Sequence, residues 1–343
     1  MQVLSAAEAI SPALNRTRDF LFRPFHWGTY LKLCAVAVLT EGLGNFHSSN
    51  SGGSPTSPSS AGFVLNPGLL TALIVAGILL FILLVALFYV VVRLRFALFH
   101  CLVHRVREIT PGWHMYREQA MRFFTLTIVV GVGFLAVAAV ALAPFIPGFV
   151  HVFKESQAAG RLNIGEFLPL ALQLIPVVVA LMLAGVAVDV VMRDFMLPHM
   201  ALENATAGEA WAKVLERVGL QKGAFFLYAL LRVLLPFAAT ISLAFVLIIP
   251  MIIVFGIPGI LVAMIHAAQV NASGAAWLLA VLLQVVLGIF MVGLGLLVAI
   301  CIGGPVSIAI RNYALVFYGG RYRLLGDLLA QAQTAPEAPP LPA

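Results

Sequence analysis

The stretch "PGLLTALIVAGILLFILLVALFYVVVRLRFALFHCLVHRVR", Pro67 to Arg107, decides what kind of protein this is. Its first charged residue is Arg93, so everything from Pro67 to Val92 is apolar or neutral. A helix crossing a bilayer needs about 20 apolar residues, and this run exceeds that without a break. The helical pattern then continues past the membrane: at 1.5 Å per residue the whole stretch extends about 60 Å, twice the hydrocarbon core. Beyond Arg93 it divides into two stripes, Phe96, Phe99, Val103 and Val106 against Arg93, His100, His104 and Arg107. This continuation is predicted to lay its apolar stripe on lipid or on interfacial helices.

Working outward, the rest of the chain has the same character. Of 343 residues 62% are hydrophobic and only 10% charged, with a mean hydropathy of +1.04. A soluble domain carries about 25% charged residues, so this chain cannot cover itself with a water-facing shell and reads as an all-α integral membrane protein. The net charge of +6 does not point to nucleic acid, because the cations sit at the ends of apolar runs, as topology determinants do. Cys34, Cys101 and Cys301 lie in or beside apolar segments and form no disulfide framework.

Six spans are expected, at about 27–44, 67–92, 121–148, 167–192, 224–255 and 275–304. The first is the weakest, being short and carrying Lys32 and Glu41; a signal peptide competes there but lacks a convincing cleavage site. Cations gather before the first span (Arg16, Arg18, Arg23) and between the second and third (Arg93, Arg95, Arg105, Arg107, Arg117, Arg122). They gather again between the fourth and fifth (Arg193, Lys213, Arg217, Lys222) and after the sixth (Arg311, Arg321, Arg323). The alternate connections hold only Lys154 and Arg161. The positive-inside rule then places both termini in the cytoplasm. Residues 1–327 read as one transmembrane domain with a flexible Gly/Ser/Pro outer linker at 45–66, and 328–343 as a disordered Pro/Ala-rich tail.

A threefold pattern runs through this layout. "SAAEAISPAL" (Ser5–Leu14) and "TAGEAWAKVL" (Thr206–Leu215) share a Ser/Thr-x-x-Glu capping box, and Thr110-Pro111 offers a third helix start. Each start opens a short amphipathic stretch before an odd-numbered span. The even-numbered spans leave with an arginine followed by an aromatic, in "RLRF" at 93, "RDF" at 193 and "RNY" at 311. The expectation is three units, each an interfacial helix plus a transmembrane hairpin.

Candidate sites are few. His100, His104 and Glu108 share one helical face, but Arg105 and Arg107 would repel a cation, so a solvated basic face is the better reading and no metal is expected. Gly295, Ala299 and Gly303 form a small-residue stripe suited to helix packing. Prolines at 144, 147, 169, 176, 236, 250 and 258 interrupt the later spans, as in transporters, although polar groups near the midplane are sparse. No nucleophile elbow, P-loop or zinc-protease motif is present, so no catalytic residue and no cofactor is assigned.

Asp189 stands out, since a charge inside a span costs about 2.5–3.5 kcal/mol on insertion scales. Arg193 lies one turn on. Arg232, rising in the next span, differs from Asp189 in depth by about 9 Å of helix rise, within an arginine's snorkelling reach. The expectation is an intramembrane cluster of Asp189, Arg193, Asp194 and Arg232, with Pro198 ending the helix beyond it.

Two stretches, "LFRPFHWGTYLKL" (Leu21–Leu33) and "RDFMLPHMALENATAGEAWAKVLERVGLQKGAFFLYALLRVLL" (Arg193–Leu235), resemble a family of uncharacterised bacterial multi-pass membrane proteins. More distantly they are similar to the six-helix membrane domain attached to some glycerophosphodiester phosphodiesterases. The element carrying the resemblance is Arg193, Asp194 and Phe195 with Pro198 and Met200; His199 stands where an aliphatic residue is expected. The resemblance implies a structural corner at Phe195, Pro198 and Met200 and no activity. The function expected is a non-enzymatic module that organises membrane lipids or partner proteins at the cytoplasmic interface. The alternative is a small-solute or lipid transporter.

Overall fold

The structure, a computed structural model, describes residues 3–42, 67–159, 164–269 and 273–334. The expected outer linker at 45–66 and the end of the tail at 335–343 lie outside the described residues. Among the described residues the fold is helical throughout. The helices are α1 (Ile10–Phe22), α2 (Trp27–Gly42), α3 (Pro67–His104), α4 (Ile109–Met115), α5 (Arg117–Leu142) and α6 (Ile146–Ala159). They continue with α7 (Ile164–Val190), α8 (Leu197–Leu202), α9 (Ala207–Leu220), α10 (Lys222–Gln269), α11 (Ala275–Gly319) and α12 (Arg323–Thr334). A 3₁₀ turn (Ala143–Phe145) joins α5 to α6 and a π turn (Val191–Met196) joins α7 to α8.

Among the described residues, five stretches are long and apolar enough to cross a membrane: Leu70–His104, Arg117–Ser156, Phe167–Leu202, Lys222–Phe245 and Ala275–Gly319. They mark the chain as a multi-pass membrane protein. The expected first span is the exception. It is helical as α2, but its 16 described residues rise about 24 Å, less than the hydrocarbon core.

The chain divides into two compact units, one of residues Met1–Gly112 with Gly223–Ala343, the other of Trp113–Lys222. In the first, the long helices change character along their length. The side chains of α3 are exposed from Leu70 through most of the helix, then buried from Val91 onward. Residues 70–90 rise about 31 Å, the thickness of a hydrocarbon core. α11 changes likewise: Leu296 and Leu297 are exposed, while Gly304, Ile308 and Tyr313 to Tyr318 are buried. The continuation of α3 past Arg93 thus packs on α1, α2 and α12 rather than on lipid.

α2 lies closely on α11 because Gly304 has no side chain: a Cβ there would collide with Cys34. The small-residue stripe is therefore a packing surface, though Gly304 carries the contact and Gly295 and Gly303 only approach Phe255 and Val38. Tyr228 of α10 stacks between Tyr313 and Phe317 of α11, with ring centroids 5.1 and 4.4 Å apart. α12 runs seven residues into the expected disordered tail, from 328 to Thr334. Its Leu325 and Leu329 are fully buried, and apolar burial of that size, about 1.5–3 kcal/mol per leucine, supports an ordered helix.

In the second unit α5, α7, α8 and α9 pack together. Pro198 does not end the helix at this corner, contrary to expectation. The chain widens into the π turn and resumes as α8 through Leu202. Proline removes one backbone donor and crowds the preceding turn; the wider π ladder accommodates both just before it. The prolines of α10 at 236 and 258 likewise leave the helix unbroken.

Of the three predicted helix starts, Thr206 forms as read, whereas the Ser5–Glu8 box closes a turn ahead of α1, which begins at Ile10 with no side-chain cap. Ser5 and Glu8 exchange side-chain to backbone bonds of 2.9 and 3.2 Å, and those bonds hold the Glu8 carboxyl below its ordinary pKa. Thr206 and Glu209 make the same box at the head of α9. Thr110 is the other correction: α4 begins at Ile109, so Thr110 is inside the helix rather than at its cap. What fixes α4 is Gly112, where a Cβ would come within 2.9 Å of Ala97 and His100.

Candidate functional site

Each unit holds its own cluster of charge. In the second, the π turn carries Arg193, Asp194, Phe195 and Met196, all buried, and α8 continues with Pro198, His199 and Met200, also buried. The corner Phe195–Pro198–Met200 is thus interior. Asp189, on the last turn of α7, reaches Arg193 at 2.7 Å as an i,i+4 pair. The carboxylate side chain is 49% exposed and the guanidinium 5%, so this ion pair is buried on the arginine side only.

The neighbouring histidine has a role that its sequence does not announce. His199 is fully buried, and its Nε2 lies 2.8 Å from Nη1 of Arg217 on α9. A guanidinium only donates, so Nε2 accepts and the ring proton belongs on Nδ1, which faces Glu203 at 3.4 Å. Glu203 also holds Lys213 of α9. Residues 199, 203, 213 and 217 together tie α8 to α9.

In the first unit Arg232 pairs with Glu41. Its Nη2 donates to Oε2 of Glu41 at 3.1 Å, and Arg311 of α11 pairs with the other oxygen. Arg95 of α3 donates to the carbonyl of Thr40 at 3.2 Å. All five residues are buried. The structure therefore places Asp189 with Arg193 and Arg232 with Glu41. Sequence reasoning had Glu41 only as a flaw in the weakest span. The signal that could have found it was that flaw itself, because a glutamate in an apolar helix requires cations, and Arg232 within the fifth span and Arg311 of "RNY" supply them.

A further buried cation, Arg16, lies on α1. It donates to the carbonyls of Leu102 and Val103, at 2.5 and 3.2 Å, at the end of α3 where helix carbonyls lack intrahelical partners. Burial pulls its pKa down to about 10, so it keeps its charge at neutral pH. Beside it the Asn312 amide donates to the Thr17 hydroxyl at 2.9 Å.

Among the described residues, no group of three or more His, Cys, Asp or Glu gathers as a metal site would need. The rings of His100 and His104 do lie close, tilted by 45° with centroids 4.6 Å apart. Glu108 contributes its backbone carbonyl, which accepts from the Cys101 thiol at 3.3 Å. What these clusters do chemically is hold charge inside a helical bundle: removing one partner of a buried pair strands the other, at about 3–5 kcal/mol.

Residues 4–328 match a family of unknown function (DUF7544), and the chain belongs to that family. No curated protein and no solved structure matches it. The family membership carries the uncharacterised part of the resemblance seen in the sequence, and the apolar helices its multi-pass part; the phosphodiesterase likeness and a bacterial origin do not follow.

Proposed function

We propose, from membership of a family whose function is open, that this chain is a non-enzymatic membrane module. It organises lipids or partner proteins at the cytoplasmic face of an inner membrane, with both termini on that face. In this reading the expected span at 27–44 makes a sixth crossing, and α1 and α9 serve as amphipathic interfacial helices. The three hairpins share one plan, which the matching capping boxes at Ser5 and Thr206 favour.

The observation that carries the proposal is the division of α3 and α11 into an exposed apolar part and a buried part rich in paired arginines. An exposed apolar length of about one bilayer, followed by a charged core, is what a protein uses to build a platform on one leaflet. Orientation is tested with single cysteines in a cysteine-free variant. Cysteines at Ser51 and Ser273 should react with an impermeant thiol reagent in intact cells, and those at Glu118 and Gln333 should not. Labelling at Glu118 overturns the orientation. The lipid role is tested by native mass spectrometry of the purified protein, which should retain phospholipid; retention of none removes it.

One feature favours transport as the second reading. α7 contains Pro169 and Pro176 and runs into a π turn with Asp189 at its edge, and irregular helices of this kind line solute paths.

A further inference from the structure

We propose that the turn between α1 and α2 is a membrane-anchoring knuckle that binds the anionic phospholipid headgroups of the leaflet it faces. The inference deepens the lipid role above and rests on it. Four aromatic rings gather at the turn. Phe25 lies 5.6 Å from both Trp27 and Tyr30, Phe22 lies 5.8 Å from Tyr30, and Trp27 stacks on Tyr30 at 5.7 Å.

The cluster is built rather than incidental. Arg107 donates to the carbonyls of Arg23 and Pro24, holding the turn against the end of α3. The Tyr30 hydroxyl donates to the Cys301 carbonyl at 2.8 Å, fixing the rings to α11.

That attachment point locates the knuckle. Cys301 lies between the exposed Leu296 and Leu297 and the buried Gly304 and Ile308, where α11 passes from its lipid-facing part into the protein core. Phe22, Phe25 and Trp27 nevertheless remain 46%, 48% and 58% exposed. Three large rings facing water would be a liability, whereas at headgroup level aromatic rings are favoured. Charge selects the headgroup: Arg18 and Arg23 flank the rings with side chains 61% and 71% exposed, sharing only Asp19, 3.7 Å from each. Two guanidiniums against one carboxylate leave a positive surface, which suits phosphate groups.

The test uses the full chain in nanodiscs with Trp27 as its sole tryptophan, through Trp113→Phe, Trp211→Phe and Trp277→Phe. Discs contain phosphatidylcholine alone or with phosphatidylglycerol, and bromines sit high or low on the acyl chains. The expected result is stronger Trp27 quenching from the shallow bromines, increased by phosphatidylglycerol. Arg18→Gln with Arg23→Gln, both exposed, should lower the preference for phosphatidylglycerol roughly tenfold, taking about 1 kcal/mol per cation near an anionic surface and discounting for Asp19. Emission insensitive to both brominated lipids overturns the proposal, whether the rings face water or a second copy. Quenching equal in the two lipid mixtures overturns the anionic headgroup. If the knuckle is quenched while Glu118→Cys is labelled from outside, the anchor stands and the cytoplasmic orientation fails.

Discussion

Glu41 and Asp189 both face arginines, and they do so under opposite conditions. Glu41 is buried and lies between Arg232 and Arg311, contributed by two other helices. Asp189 is half-exposed and pairs with Arg193 on its own chain segment, one turn away. The first arrangement joins helices that are far apart in sequence; the second reinforces a local corner. The difference shows that the residue type says little about energetic weight until burial is known, because water screens an exposed pair and cannot reach a buried one.

This comparison can be broken by mutation, and the largest effect is expected at Glu41. Glu41→Ala strands two guanidiniums at once and should destabilise the protein by about 3–5 kcal/mol, read as a fall in the thermal unfolding midpoint in detergent. A loss as small as that of a surface substitution would mean that Glu41 is hydrated and the contrast is false.

An intermediate effect is expected as coupling. Glu41→Gln and Arg232→Gln, singly and together, should show a coupling energy within the range of about 0.5–3 kcal/mol found for residues in contact. The same cycle on Asp189 and Arg232 tests the pairing expected from sequence. Additive losses there would assign Arg232 to Glu41, and coupling there would join the two clusters.

The smallest effect is expected at Asp189. With half its side chain in solvent, Asp189→Ala should cost at most about 1 kcal/mol. Arg193→Ala should cost more, since the guanidinium is the buried member. Reversal of that order would show that Asp189, not Arg193, organises the corner.

What the sequence made legible follows from how far apart the partners are. Helical class and membrane-length spans are properties of single segments, and runs such as Pro67–Val92 display them fully. The capping boxes at Ser5 and Thr206 were readable because both halves lie three residues apart. The Asp189–Arg193 contact was readable for the same reason. Glu41 was not, because its partners lie 191 residues or more along the chain and no local pattern records them. His199 was missed because its neighbour Arg217 belongs to the next helix. α12 was missed because the Pro/Ala composition that follows it hid the spacing of Leu325 and Leu329. Thr110 misled in the opposite direction: it has the chemistry of a cap, while the close approach of Gly112 to α3 sets where α4 begins.

The π turn at Val191–Met196 also sets the angular phase of everything after it. Each residue of an α-helix turns the chain by about 100°, and a π turn holds one residue more than a regular helix would. Closing that turn into ordinary α-helix while keeping every residue would rotate α8 by the same angle about its axis. His199 and Met200 would then swing from the interior toward another face, and α9 would lose its attachment without any change in the residues that make it. The corner thus acts as a phase adjuster between a helix fit for lipid and a helix fit for a protein core.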